Sequence, residues 1–555
     1  MFFALSYTSA FEKCEKPSPR SFIFSTIEVE YEKLHNVSIG FAYCAGYAFA
    51  RTRRSCLGSL VMNKFVIRGA LVASVALAFC ASAVFPTFGA EKKAKNVILL
   101  IGDGMGFNCD AMDSYWRTGK ASALSFQSFP VKGASATFCV HKHSDGRTDF
   151  NIDTDKGYDP EKYWSGAEGI NARPHTNCET TDSAASATAL NSGQKTVVGR
   201  INYSGAEKPI ENFADQNYKA GRSVGVVSTN QFAHATPAGA SAHNMNRNNY
   251  EEISKEQIED LPITVLMGSG HPGYNNGRPN TKSPDEWNYQ YVGGRAIWEK
   301  ISKNEGYKDW TVIDDRADFI KLASETPDTN AKLPKRLIGL ARTTGDIPAL
   351  DGDADDPDSM VERFTKETVD ALPTLREMTL CALNVLAQNK NGFYLMVEGG
   401  NIDHANHTNN AANCVLELAS FSKAVDAAIE WVEKYSSWDE TLMIITADHE
   451  TGGLWGAGTY DDVNEDGKFK AKDDVFNGFE PVAVSAKGEV PEVQYLTTGH
   501  SNALVPVYIK GAGAENYSKF IRGEDKKAGE MWNFSGKYIY NSDIYNIMST
   551  ASGVK

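Results

Sequence analysis

The 555-residue chain has no surplus of positive charge, no cysteine pair at C-x-x-C spacing, no internal repeat and little that could anchor it in a bilayer. With 56 Lys and Arg against 70 Asp and Glu the formal charge is −14. No basic stripe is left for a nucleic-acid partner. The missing C-x-x-C spacing gives no reason to assign the nine cysteines to a metal. The apolar run near the amino end covers 69–79, too short to span a membrane comfortably. What remains, 42% hydrophobic and 23% charged, is a globular composition. It is long enough for one large domain with insertions or for two or three ordinary ones.

That apolar run has a different use. It follows the basic stretch Asn63-Lys64-Phe65-Val66-Ile67-Arg68 and precedes Ala81-Ser82-Ala83. A basic start, a short apolar middle and a small-x-small end make an export signal over residues 62–83, cut after Ala83 or alternatively after Ala90. The bulky Phe79 ahead of Cys80 argues against a lipoprotein. Residues 1–61 lie upstream of a complete signal and read as an extension from a start codon placed too early. The mature protein is therefore expected to be exported, periplasmic or secreted. It keeps Cys109, Cys139, Cys178, Cys381 and Cys414. An odd number allows at most two bridges, and Cys139 and Cys178, which flank a polar stretch, are expected to form one.

Four apolar runs of strand length each deliver polar side chains at their carboxyl ends. Residues 95–101 end in Gly102-Asp103-Gly104, and residues 223–229 lead to His234-Ala235-Thr236. Residues 392–397 lead to Glu398, Asp403, His404 and His407, and residues 441–447 to Asp448-His449. Helical patterns over 211–220, 374–388 and 413–435 lie between them. Alternating helices and doubly buried strands predict an α/β fold with a mostly parallel central sheet. Ligands of such sheets sit beyond the carboxyl ends of the strands.

The stretch Thr181-Asp182-Ser183-Ala184-Ala185-Ser186-Ala187 puts one serine behind an acid and ahead of small residues. If Ser183 opens a helix, unpaired backbone N–H groups surround its hydroxyl and suit a phosphoryl group. Residues 140–177, 246–370 and 455–490 read as insertions that cap or rim the cleft. Asp462, Asn464, Asp466 and Asp473 follow the spacing of a calcium-binding loop, with Asp in place of the final Glu. Asp351, Asp353 and Asp355 alternate likewise without the central Gly, and His141 and His143 are loop histidines.

Asp103, Thr236, Glu398, Asp403, His407, Asp448, His449 and His500 thus fall where one cleft is predicted. Three imidazoles with several carboxylates suit zinc, and the oxygen-only remainder suits magnesium. Two cations about 3.5–4 Å apart can clamp the attacking and leaving oxygens of an in-line displacement. With a serine at a helix start nearby, the chemistry this set fits best is phosphoryl transfer.

The segments Gly102-Asp103-Gly104-Met105-Gly106, Thr181-Asp182-Ser183-Ala184-Ala185, His234-Ala235-Thr236-Pro237-Ala238, Val397-Glu398-Gly399-Gly400-Asn401-Ile402-Asp403-His404, Thr446-Ala447-Asp448-His449 and Gly499-His500 together resemble alkaline phosphatases, in the family's order, over residues 95 to about 550. The resemblance implies a three-layer sandwich with cap or crown segments. It implies Ser183 as nucleophile, one zinc on Asp403, His407 and His500, and a second on Asp103, Asp448 and His449. Magnesium would fall to Asp103, Thr236 and Glu398, and Arg247 would clamp the phosphate of a monoester. Family members are commonly homodimers. The best-studied bacterial members carry Asp and Lys near the magnesium site; this chain has His234 and His404, as animal members do, which weakens the expected hold on magnesium.

Related enzymes fit less well. Phosphodiesterase relatives use Thr where Ser183 stands and lack the arginine, and no sulfatase-like Cys-x-Pro-x-Arg segment is present. A phosphoglycerate mutase relative would share the metals and the serine, but not an export signal. An exported metal or phosphate binder has no need of Ser183.

Overall fold

The computed structural model describes residues 93–140, 157–164, 178–327, 333–351, 365–459 and 478–555. The upstream extension, the export signal, His141, His143, Asp353, Asp355 and the calcium-loop residues Asp462, Asn464, Asp466 and Asp473 lie outside them. The chain divides into units over residues 1–87 and 88–555, and every described residue belongs to the second.

Eleven strands form the central sheet: β1 (Asn96–Gly102), β2 (Val131–Ala136), β3 (Ser223–Gln231), β4 (Val265–Ser269), β5 (Trp310–Ile313), β6 (Arg336–Leu340), β7 (Phe393–Gly399), β8 (Thr441–Thr446), β9 (Val505–Gly511), β10 (Gly523–Glu524) and β11 (Lys537–Tyr540). Their order is β10-β11-β2-β9-β8-β1-β7-β3-β4-β6-β5. The seven strands from β8 to β5 run parallel, and β9 joins β8 antiparallel. Register aligns Ile101 with both Glu398 and Thr446, and Glu398 with Ser228. The polar residues that follow these strands therefore emerge together.

Alternation along β1 shows why the sheet is a middle layer. Ile98 and Leu100 enter one apolar core, whereas Val97, Leu99 and Ile101 enter the other, and all five are fully buried. A strand covered on both faces needs this continuous aliphatic run. The first core is completed by α4 (Leu375–Leu386), started by a reciprocal Thr374–Glu377 capping box, and by α6 (Ala411–Tyr435). The second receives α2 (Ser183–Ser192) and α7 (Ser542–Ser552). No helix among the described residues is long and apolar enough to cross a membrane.

One feature differs from expectation. Part of the 246–370 stretch extends the sheet, because β4, β5 and β6 lie in it. These strands are only four or five residues long, and the connections between them carry the helices Arg295–Ile301 and Arg316–Ser324, so the stretch shows no single periodicity. Cys139 is buried, its Sγ 3.7 Å from Thr180 O; the side chain of Cys178, and with it the expected Cys139–Cys178 bridge, lies outside the described residues.

Candidate active site and metal centre

Helix α2 is built of small residues because it lies almost backbone to backbone on its neighbour, α3 (Ala235–Gly239). A Cβ on Gly239 would come within 2.4 Å of Ala187 Cβ. Asp182 caps α2, its Oδ1 accepting from Ala185 N at 2.9 Å. The helix stops at Gly193, whose φ of 73° suits glycine. Ser183 thus occupies the first turn, 2% exposed, with its Oγ 3.3 Å from His449 Nε2.

Two groups of ligating side chains meet beside it. Asp403, His407 and His500 form one and Asp103, Asp448 and His449 the other, the ligand atoms of each lying within 4.8 Å of one another. Asp403 and His407 face the same way because α5 (Asn401–His407) spaces them by four residues. The rings of His449 and His500 stack with centroids 3.6 Å apart, joining the two groups.

The imidazoles are held by the nitrogen that ligation does not need. His500 Nδ1 donates to Thr181 O at 2.7 Å and His407 Nδ1 to Thr498 O at 2.5 Å, and His449 Nδ1 lies 3.2 Å from Thr451 Oγ1. Each Nε2 lone pair is left to face the cleft, the outer-shell arrangement common around metal ligands. Thr451 Oγ1 also donates to Asp403 Oδ1 at 2.5 Å.

The third set is oxygen-only. Thr236 Oγ1 donates to Asp103 Oδ2 at 3.4 Å, and Ser228 donates to Glu398 Oε2. The oxygens Asp103 Oδ1, Asp448 Oδ2 and Glu398 Oε1 are buried and accept no well-formed hydrogen bond, although His449 Nε2 lies 3.5 Å from Asp103 Oδ1 and 3.0 Å from Asp448 Oδ2. Without a cation that is costly. Burial, then the charge of Asp448, pushes the Asp103 carboxyl well above the ordinary range, and burial lifts Glu398 to about 7. Burial and then the neighbouring His449 drop His500 to about 4, whereas the hydrogen bond with Asp403 raises His407 to about 9. Unpartnered buried carboxylate oxygens beside open imidazole nitrogens fit divalent cations.

Arg247 reaches the same cleft. Its Nη1 donates to Asp182 Oδ2 at 2.9 Å, and Nη2 lies 3.5 Å from His234 Nε2. His234 and His404 sit edge to face with centroids 6.0 Å apart. Asp346 fixes His404, Oδ2 to Nδ1 at 2.9 Å.

The residues singled out from the sequence therefore converge. Partners that sequence reasoning missed are Asp182 as the anchor of Arg247, Asp346 behind His404, Ser228 behind Glu398 and Thr451 behind Asp403. Only Thr451, three residues past Asp448, and Asp182, next to Ser183, had a signal in their positions.

A family model described as alkaline phosphatase matches residues 166–552, well over half of the chain. The chain belongs to the alkaline phosphatase family. It is a phosphatase acting on phosphate monoesters, on an α/β fold. Alkaline phosphatase H of Pseudomonas aeruginosa is 31% identical over 379 residues, covering 65% of this chain and 70% of the relative. Alkaline phosphatase 4 of Bacillus subtilis is 29% identical over 395 residues, covering 62% and 75%. Among solved structures, the alkaline phosphatase from the Antarctic bacterium TAB5 aligns with a TM-score of 0.52 at 21% identity, over 84% of this chain and 100% of that one. At that identity the likeness shows the fold.

Proposed function

We propose that this alkaline phosphatase works through a covalent phosphoserine at Ser183, with two zinc ions and one magnesium ion in the three ligand sets. The carrying observation is that Ser183 Oγ opens α2 beside His449, where the two nitrogen-bearing ligand groups adjoin. Asp403, His407 and His500 would hold one zinc, Asp103, Asp448 and His449 the other, and Asp103, Thr236 and Glu398 the magnesium. When bound, such ions lower the pKa of a coordinated hydroxyl and stabilise a departing oxygen anion.

The chain's own groups do the rest. The first-turn N–H groups and dipole of α2 draw the phosphoryl oxygens to Ser183. Arg247, steered by Asp182, offers parallel N–H donors to two non-bridging oxygens. Ser183 Oγ, its proton lost to solvent at alkaline pH, attacks phosphorus in line; the bond to the ester oxygen breaks, and the alkoxide takes a proton from water and leaves as the alcohol. Water then attacks the phosphoserine, releasing phosphate and restoring the hydroxyl. A diester has one fewer charged terminal oxygen for Arg247 to grip. His234 and His404 stand where a carboxylate would tighten the third site, so magnesium is expected to stimulate without being essential.

The catalytic domain is assigned to residues 95–550, with export directed by residues 62–83; homodimerisation remains a family expectation. The test compares mono(p-nitrophenyl) phosphate with the bis ester on zinc-loaded protein. A monoester preference of several orders of magnitude supports the reading, and equal cleavage sinks the assignment of Arg247.

A further inference from the structure

A cavity of about 560 Å³ opens beside the carboxyl end of β5, the last strand at the sheet edge, and nothing in the catalytic account uses it. Its walls carry the rings of Tyr274, Trp287 and Trp298 around His271, with the carboxylates of Asp314 and Asp318. Among the described residues no lysine or arginine lines it, although the Arg342 guanidinium already lies over the Tyr274 ring, 5.1 Å from its centroid.

The rings are held in place before any ligand arrives. His271 is 3% exposed; its Nδ1 accepts from Gly273 N at 3.0 Å, which leaves its proton on Nε2, 3.2 Å from Asp314 Oδ2. Tyr274 and Trp298 meet this imidazole edge to face, with centroids 4.9 and 5.0 Å away. Trp287 is oriented by its Nε1 bond to Lys282 O at 3.0 Å. It lies so close to Gly273 that a Cβ there would be 3.1 Å from its ring.

The charges and hydrogen bonds narrow the occupant. Asp314 is spent on His271 and on Arg342 Nη2 at 3.0 Å. The exposed Asp318 carboxylate makes no hydrogen bond or ion pair among the described residues. The two lining amides are also spent, Asn280 Nδ2 on Pro272 O at 3.0 Å and Asn304 on both backbone groups of Val312. What the cavity offers is the indoles of Trp287 and Trp298 and the open Asp318 carboxylate.

We propose that this cavity is a binding site for an organic cation of the quaternary-ammonium class, a choline-like headgroup held against Trp287 and Trp298 with Asp318 at the rim. Aromatic faces attract such cations through the ring quadrupole. The site is separate from the phosphatase centre and does not depend on its mechanism.

The test is ligand-observed saturation-transfer NMR on the full protein, with choline chloride and its uncharged isostere 3,3-dimethylbutan-1-ol at equal ionic strength. Choline is expected to bind roughly 10-fold more tightly than the isostere, the size of a good cation–π contribution. Binding should be lost in Trp287→Ala and weakened in Asp318→Asn, both retaining full hydrolysis of p-nitrophenyl phosphate. No transfer to choline, equal affinity for the isostere, or unchanged choline binding in Trp287→Ala overturns the proposal. If Trp287→Ala does not fold, the isostere comparison on the unaltered protein and the Asp318→Asn titration decide alone.

Discussion

Asp182 Oδ2 holds Arg247 Nη1 at 2.9 Å while Oδ1 of the same carboxylate caps the helix that begins with Ser183. The proposed nucleophile and the proposed phosphate clamp are thus placed by one side chain, with Gly199 N as a third partner at 2.9 Å. Replacing it with Ala should free the guanidinium and uncap α2. We expect kcat/KM for a monoester to fall about 10-fold, chiefly through KM, since a charge-assisted contact is worth on the order of 1.5 kcal/mol. The helix should lose about 1 kcal/mol of capping. Steady-state kinetics with phosphate inhibition checks this; an unchanged KM would separate Asp182 from the clamp.

Gly239 tests the close packing beneath the proposed nucleophile. Gly239→Ala brings a methyl within 2.4 Å of Ala187 Cβ, so α2 must shift. Overpacking of this kind costs about 1–3 kcal/mol. Thermal unfolding should drop by several degrees and kcat should fall with it, because Ser183 rides on α2. A stability loss with unaltered kcat would show that the helix start is held by Asp182 alone.

Much of this site could be read from the chain, for a physical reason. Strands such as β1 and β7 are buried on both faces, so their aliphatic runs stand out, and whatever follows them must lie at one end of the sheet. Helix boundaries also agreed: the pattern over 374–388 became Leu375–Leu386, and that over 413–435 became Ala411–Tyr435. What could not be read depends on register and tertiary approach. Asp346 meets His404 across 58 residues, and Asp182 meets Arg247 across 65. Neither separation leaves a periodic trace.

His243 gives the fold a pH dependence outside the metal centre. Burial opposes its charge, but Asp215 at 3.2 Å and Glu256 at 3.0 Å prevail and raise it to about 10. Because the folded value lies above the unfolded one of about 6.5, the protonated form stabilises the protein fully below pH ~6.5. That contribution is lost as the pH rises through about 10. The Tm difference between the unaltered protein and His243→Gln should therefore be largest at about pH 6.5 and below, and shrink as the pH rises to about 10. A difference that stays constant would mean His243 folds uncharged.

Cation removal should act on stability as well as on activity. Asp103 and Glu398 keep buried oxygens without hydrogen bonds, and Asp448 Oδ2 faces only His449 Nε2 at 3.0 Å, so a chelated protein carries incompletely compensated carboxylates. Dialysis against a chelator is expected to abolish turnover and lower Tm, with zinc restoring both. Magnesium added to the zinc-loaded protein should raise activity further. Activity indifferent to magnesium would count against the role of Thr236 and Glu398, and a Tm indifferent to chelation against all three sites.

The central claim is that the phosphoryl group passes through Ser183. Zinc-loaded protein should be mixed with a monoester, quenched in acid and digested, and the peptide containing residues 180–190 examined by mass spectrometry. The account predicts a phosphorylated Ser183 in the unaltered protein and none in Ser183→Ala, which should still bind zinc and phosphate while losing turnover. Full turnover in Ser183→Ala, or phosphate trapped on another residue, would contradict it.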